Sequence, residues 1–216
     1  MIPVVTPEQM RAIDAAAADQ LAVLIERAGA AVAREALRML GGAYGRTVAV
    51  LAGPGNNGAD GRVAATRLRE RGVSVIVYDA ASLPASLPPV DLVIDAAFGT
   101  GFRGSWRAPD VGLAEVLAVD VPTGLDALTG AAQPGTLRAH RTVTFAAAKP
   151  GHVLGDGPDV VGELVVADIG LPVRASLMSI VDRDDVASWV PRRERTANKW
   201  THAVRDCEQV QVVIAE

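Results

Sequence analysis

Gly53, Gly55 and Gly58 form a G-x-G-x-x-G spacing directly after the apolar run 46–52, and Asn56-Asn57-Gly58-Ala59-Asp60 fills the second half of that loop. By spacing alone such a loop cradles a dinucleotide pyrophosphate. Asp79, about 20 residues further on, stands where a ribose-binding acid would complete a Rossmann dehydrogenase site. Two details point elsewhere. A carboxylate at Asp60, in the first helical turn, would compete with a pyrophosphate for the same amides. Asn56 and Asn57 bring donors and acceptors suited to a sugar, an amide or a hard cation, although asparagine also tolerates a plain left-handed turn.

Three further segments carry polar chemistry. They are 95–105 with Asp95, 120–130 with Asp120 and Thr123, and 145–152 with Lys149. The elements that must position them follow from the apolar pattern. Thr6-Pro7-Glu8-Gln9 is a capping box opening a helix over 7–18, and a second helix spans 21–40 and stops at Gly41-Gly42. Short apolar runs at 46–52, 73–79, 90–96, 115–121, 141–147 and 162–170 read as strands, with a helix over 58–72 between the first two. Strands alternating with helices or loops predict an α/β fold with a mostly parallel sheet. Ligands in such sheets sit at the carboxyl ends of the strands. Each polar segment falls at one of those ends, which predicts one composite site.

Composition narrows the function. Half of the 216 residues are apolar and only 4% are aromatic, so the core is aliphatic. The net charge of −4 argues against a nucleic-acid binder. Cys207 is the single cysteine, so no internal disulfide can form. No stretch reaches the length of about 20 apolar residues that a membrane span needs. The opening residues have no leader pattern. The expectation is a cytoplasmic protein without membrane or nucleic-acid partners. His140, His152 and His202 are scattered, so no transition-metal cluster is expected.

"GPGNNGADG", "DLVIDAAFGTGFRG", "AVDVPTGLDALTG" and "TVTFAAAKPGH" occur in this order. Together they resemble the NAD(P)H-hydrate epimerase family, the YjeF N-terminal domain, over roughly residues 5–172. The opening "EQMRAID" and "LIERAGAAVA" are similar to that family's first helices. The resemblance implies a Rossmann-like three-layer αβα sandwich, often dimeric. It also implies an activity: interconversion of the R and S forms of hydrated NADH or NADPH (NADHX and NADPHX), whose nicotinamide ring bears a hydroxyl at C6. The nucleotide is then substrate rather than hydride carrier. Substrate contact is implied for Asn56, Asn57, Gly58, Ala59 and Asp60, for Gly99, Thr100, Gly101, Phe102, Arg103, Gly104 and Ser105, and for Asp120. A potassium ion is implied at Asn57, Asp95 and Thr123, whose amide, carboxylate and hydroxyl oxygens suit a hard cation.

Epimerisation needs a group that exchanges a proton at the hydroxyl and something that stabilises the cation formed when it leaves. Ring opening and reclosure is the other route. Asp120 is the chosen proton-exchanging group, on the expectation that burial raises its pKa. Lys149 is the second catalytic candidate, as partner of a carboxylate or a phosphate, against the alternative of a solvated loop lysine. Arg103 is a phosphate partner, and Asp126 and Thr129 brace their loop.

Two departures from the family pattern are visible. Segment 104–120 is short for a crossover helix, which bears on the cover of one sheet face and on a dimer contact. After a domain spanning 1–175, residues 176–216 resemble a linker and the altered or truncated start of a fused ADP- or ATP-dependent dehydratase domain. A binding module that has lost turnover and a conventional dehydrogenase remain as alternatives.

Overall fold

The computed structural model of the chain describes residues 1–173 and 178–190. The main compact unit runs from Ile2 to Ile180. It begins with β1 (Ile2–Val4), α1 (Pro7–Ala16), α2 (Leu21–Leu40), β2 (Thr47–Ala52), α3 (Asn56–Glu70) and β3 (Ser74–Asp79). There follow β4 (Leu92–Ala96), β5 (Glu115–Val119), β6 (Arg141–Phe145), α4 (Gly157–Val160), β7 (Glu163–Ala167) and β8 (Met178–Ile180). The capping box is formed: the Thr6 hydroxyl accepts from the Gln9 N–H, and the Gln9 side chain accepts from the Thr6 N–H at 2.8 Å.

Strands β3-β2-β4-β5-β6-β7 make one sheet in that order, parallel throughout. The chain leaves β2 toward β3 on one side and returns to β4 on the other, so the order reverses between β2 and β4. That crevice is where open α/β sheets take their ligands. Strand β4 is buried at all five residues, as a central parallel strand covered on both faces must be.

Alternate residues serve two cores. Val48, Val50, Leu92, Ile94, Leu117 and Val119 face α2 and α3, which pack on each other. Ala49, Leu51, Val93, Val116 and Ala118 face the other way, beneath Leu87, Trp106, Ala114 and Ala139. That second layer is loop, with the single turn of α4 at its margin near β7. The α/β class and the parallel sheet are as the sequence predicts. The short 104–120 segment makes its share of the cover from extended chain rather than a crossover helix. Helix α2 is tied to the sheet by the buried Glu35, which accepts from Arg141 of β6 at 2.8 Å.

β1 and β8 form a separate antiparallel pair. No helix among the described residues is long and apolar enough to cross a membrane. The second unit comprises, of the described residues, Met1 and 181–190. Within it, Asp182 caps α5 (Arg183–Trp189) and the Met1 ammonium lies 2.7 Å from Asp185. Residues 191–216, which carry most of the expected dehydratase-like start, lie outside the described residues.

Candidate active site

A cavity of about 930 Å³ opens at the carboxyl ends of the sheet strands, between them and the α1–α2 segment. This is the size of a site that encloses a small ligand. Its polar lining comes from three strand ends: Asn56, Asn57 and Asp60 after β2, Gly99 to Arg103 after β4, and Asp120 after β5. Lys149, beyond β6, joins them, and Arg11 and Asp14 of α1 form the facing wall. A shallower hollow of about 340 Å³ around Ala22, Val23, Glu26 and Arg67 holds none of the sequence-predicted residues.

The first loop is built by close approach. A Cβ on Gly58 would collide with the Gly53 carbonyl, so glycine is needed for α3 to start this tightly against β2. The helix begins at Asn56, two residues earlier than expected, with Gly55 as an N-cap that makes no side-chain bond. Arg62 reaches back and donates to the Gly53 carbonyl at 2.8 Å. Asn57 is left with both side-chain polar atoms buried and without a protein partner.

The second loop brings the other two segments to this one. A Cβ on Gly99 would sit 2.8 Å from Asp120 Oδ2 and 3.4 Å from Asn57 Cγ. Gly99 is therefore the spacer through which Asn57 and Asp120 share one pocket. Thr100 donates twice to Asp120 Oδ2, from its N–H at 2.9 Å and its hydroxyl at 2.5 Å. Phe98 stacks on Phe102, with centroids 4.4 Å apart, and meets Trp106 edge-on. Arg103 lines the cavity but donates to the Phe102 carbonyl.

Lys149 is 1% exposed, not a solvated loop lysine. Its Nζ lies 2.7 Å from Asp120 Oδ1 and 2.6 Å from the Thr144 hydroxyl. This reverses the direction expected for Asp120. Burial pushes its carboxyl up, but the Lys149 ammonium and the Thr100 donors outweigh that and hold it well below the usual carboxylate range. The Lys149 ion pair favours the carboxylate form of Asp120, opposite to the proton-donating form expected for it.

Asp60 is the opposite case. It is buried and lines the same cavity, and among the described residues its carboxyl has no hydrogen-bond or ion-pair partner. Burial, with the charges of Asp120 and Asp14, pushes it up to about 8. Two carboxyls whose surroundings drive their pKa values apart are the mark of an acid/base pairing.

Asp95 and Thr123 form a buried unit. The Thr123 N–H donates to Asp95 Oδ2 at 2.9 Å and its hydroxyl to Oδ1 at 2.7 Å. Phe98, next to Gly99, donates its N–H to the Thr123 hydroxyl at 3.1 Å. Burial raises the Asp95 carboxyl, against the pull of the Thr123 bonds.

Four expected contact residues lie outside the cavity wall. Gly58 packs under the loop, Ala59 continues the helix backbone, and the Gly104 carbonyl accepts from Gln133 Nε2 at 2.8 Å. Ser105 is exposed. Asp79 is also exposed, accepts from the Ala81 N–H at 2.9 Å and does not line the cavity. Asp126 braces its loop by accepting from Leu128 and Thr129. His152, not among the residues singled out by sequence, is buried and bonded to the backbone of both Asp120 and Lys149.

Comparison with known proteins agrees with this arrangement. The YjeF-related protein N-terminus family matches residues 21–86 and 79–151, which take in all four polar strand ends. The chain belongs to this family. Among YjeF-related proteins, the bifunctional NAD(P)H-hydrate repair enzyme Nnr of Hyperthermus butylicus is 39% identical over 215 residues, covering 82% of this chain and 39% of that protein. The enzyme of the same name from Pyrobaculum aerophilum is 37% identical, covering 72% of this chain and 39% of its own length. The YjeF-related chain thus spans about two fifths of the length of these curated relatives. The crystal structure of yeast ynu0 superposes with a TM-score of 0.62 at 22% identity, covering 86% of this chain and 93% of that one, a likeness of fold.

Proposed function

We propose that this chain is an epimerase that interconverts the R and S forms of hydrated NADH and NADPH in nicotinamide nucleotide repair. The observation that carries the reading is the convergence of two unlike carboxyls on one cavity, the ion-paired Asp120 and the unpartnered Asp60. The names of the Nnr relatives support the substrate class.

The carbon to be inverted bears a ring nitrogen and a hydroxyl. Protonation of that hydroxyl lets the nitrogen lone pair expel it as water, leaving a planar iminium. Asp60, protonated at neutral pH, supplies the proton and becomes a carboxylate. Asp120 presents a fixed negative charge to the cation, with its direction set by Lys149 and Thr100. Water then adds to the other face and releases a proton to solvent, and Asp60 regains its proton from solvent, which restores the enzyme. Phe98 and Phe102 offer an aromatic surface for a flat ring.

The proposed cofactor is one potassium ion per subunit. The buried, unpartnered Asn57 amide oxygen is what a hard cation satisfies, and the Asp95 carboxylate and Thr123 hydroxyl add oxygens of the same kind. When bound, it supplies fixed positive charge at the strand ends. The proposed assembly is a cytoplasmic homodimer, as the family resemblance implies. A single cysteine suits a reducing compartment.

The test is an exchange assay on R-enriched NADHX, with and without potassium. Exchange above the spontaneous rate, abolished by Asp120→Ala, is the expected result. A binding module would leave the isomer ratio drifting at its spontaneous rate.

A further inference from the structure

Among the described residues, Asp120 and Ala146 are the two non-glycine positions with positive φ, at 68° and 62°. They occupy equivalent places, just past the ends of the neighbouring strands β5 and β6. Each is the centre of a three-residue turn: Val121 N–H donates to the Val119 carbonyl at 2.9 Å, and Ala147 N–H to the Phe145 carbonyl at 2.7 Å. A γ-turn with positive φ is rare and strained, and it persists only where its surroundings impose it.

At Asp120 the imposing contacts can be named. Its N–H donates to the Val143 carbonyl at 2.7 Å. Its carbonyl pairs with His152 Nε2 at 2.9 Å. The other ring nitrogen of His152, Nδ1, accepts from the Lys149 N–H at 3.1 Å, which leaves Nε2 as the protonated nitrogen and the donor to Asp120. The ring is 2% exposed. Burial and the neighbouring Lys149 charge lower its pKa to about 4, so it is neutral in the working range.

We propose that His152 is a positioning residue for the Asp120–Lys149 pair. Its imidazole spans the two backbones, one nitrogen on each, and so fixes where the carboxylate meets the ligand. The proposal rests on the reading of Asp120 as the charge that faces the reacting ring. The strained turn turns the Asp120 side chain toward Thr100 and Lys149, and the imidazole holds the turn in place without adding charge.

The experiment compares His152→Asn and His152→Gln in the full chain. Asparagine offers an acceptor at the Nδ1 distance and keeps the Lys149 bond, but it does not reach Asp120. Glutamine reaches the Asp120 carbonyl with its amide. With folding checked by circular dichroism, His152→Asn should lower kcat by about tenfold or more with KM within about twofold, and His152→Gln should return to within about threefold of wild type. The Asp120 carboxyl carbon resonance, followed by NMR, should shift in His152→Asn and recover in His152→Gln. Equal losses in both variants, or a carboxyl resonance that ignores both, overturn the proposal. In the wild type, nitrogen NMR of His152 must report the neutral Nε2–H form at about pH 6. An imidazolium there overturns the proposal even if neither variant folds. If the wild type fails to exchange epimers but the carboxyl responds as stated, the positioning role stands and the epimerase reading falls.

Discussion

Replacing Asp60 with asparagine should make the protein more stable and less active. The wild-type carboxyl moves from an ordinary 3.8 to about 8 on folding. A shift of about four units, at about 1.4 kcal/mol each, sets a ceiling of about 5–6 kcal/mol on the penalty. Part of that shift comes from the charges of Asp120 and Asp14 across a cavity open to solvent, which weakens it. A gain of about 2 kcal/mol for Asp60→Asn at pH 8 is the working figure. The sign follows from proton linkage. Between about pH 4 and pH 8 the folded state holds a proton that the unfolded chain releases, so wild-type stability falls as pH rises through that window. Below it both states are protonated and the penalty vanishes. Urea midpoints of the two proteins should therefore nearly coincide at about pH 4 and separate toward pH 8, with the urea dependence of the unfolding free energy unchanged. In the same variant, epimer exchange should drop by about 10² or more, since an amide cannot donate the proton. Parallel stability profiles, or an advantage for the variant that is greatest at low pH, would refute the assignment of Asp60 as the protonated carboxyl.

Lys149→Met leaves the half-buried Asp120 charge without its ammonium partner and should cost about 2 kcal/mol at neutral pH, read by thermal or urea unfolding. Asp120's folded pKa lies below its unfolded value, so its stabilising share is present at neutral pH and fades only in strong acid; in Lys149→Met the loss should shrink as pH falls. Asp79→Ala, at an exposed turn, should change stability by less than about 0.5 kcal/mol and leave exchange intact. Asn57→Leu should abolish the rise in melting temperature that potassium, but not choline, gives the wild type; an equal rise in both proteins rejects that cation site. Gly99→Ala forces a methyl to within 2.8 Å of Asp120 Oδ2 and should lower kcat with little change in melting temperature.

Some of this is legible in the residues. The capping box at Thr6 and Gln9 and the helix over 21–40 follow from local chemistry, and both appear where the sequence places them. The central strands β2, β4 and β5 are near-continuous apolar runs because buried parallel strands need no polar face. The pair β1 and β8 is silent, since three residues such as Ile-Pro-Val carry no period. Helix α3 starts at Asn56 because Gly53 and Gly58 allow a close approach that propensity alone does not reveal. The pKa of Asp120 went in the other direction because its sign depends on Lys149 being folded inward, a contact 29 positions away. His152 left no trace because both its partners are backbone atoms.

The loop-built layer over one sheet face has a bearing on how a ligand gets in and out. The segment between β4 and β5 carries Gly99 to Arg103 into the cavity wall and then lays Trp106 and Ala114 over the strands. Without a helix, that stretch has few backbone bonds of its own, and such stretches open at lower free energy than the strands beneath. Loosening the wall would uncover Leu51 and Val93 of the interior, and a ligand that binds only the closed wall would oppose that opening. Ligand residence and amide protection along this one stretch are two readings of a single equilibrium.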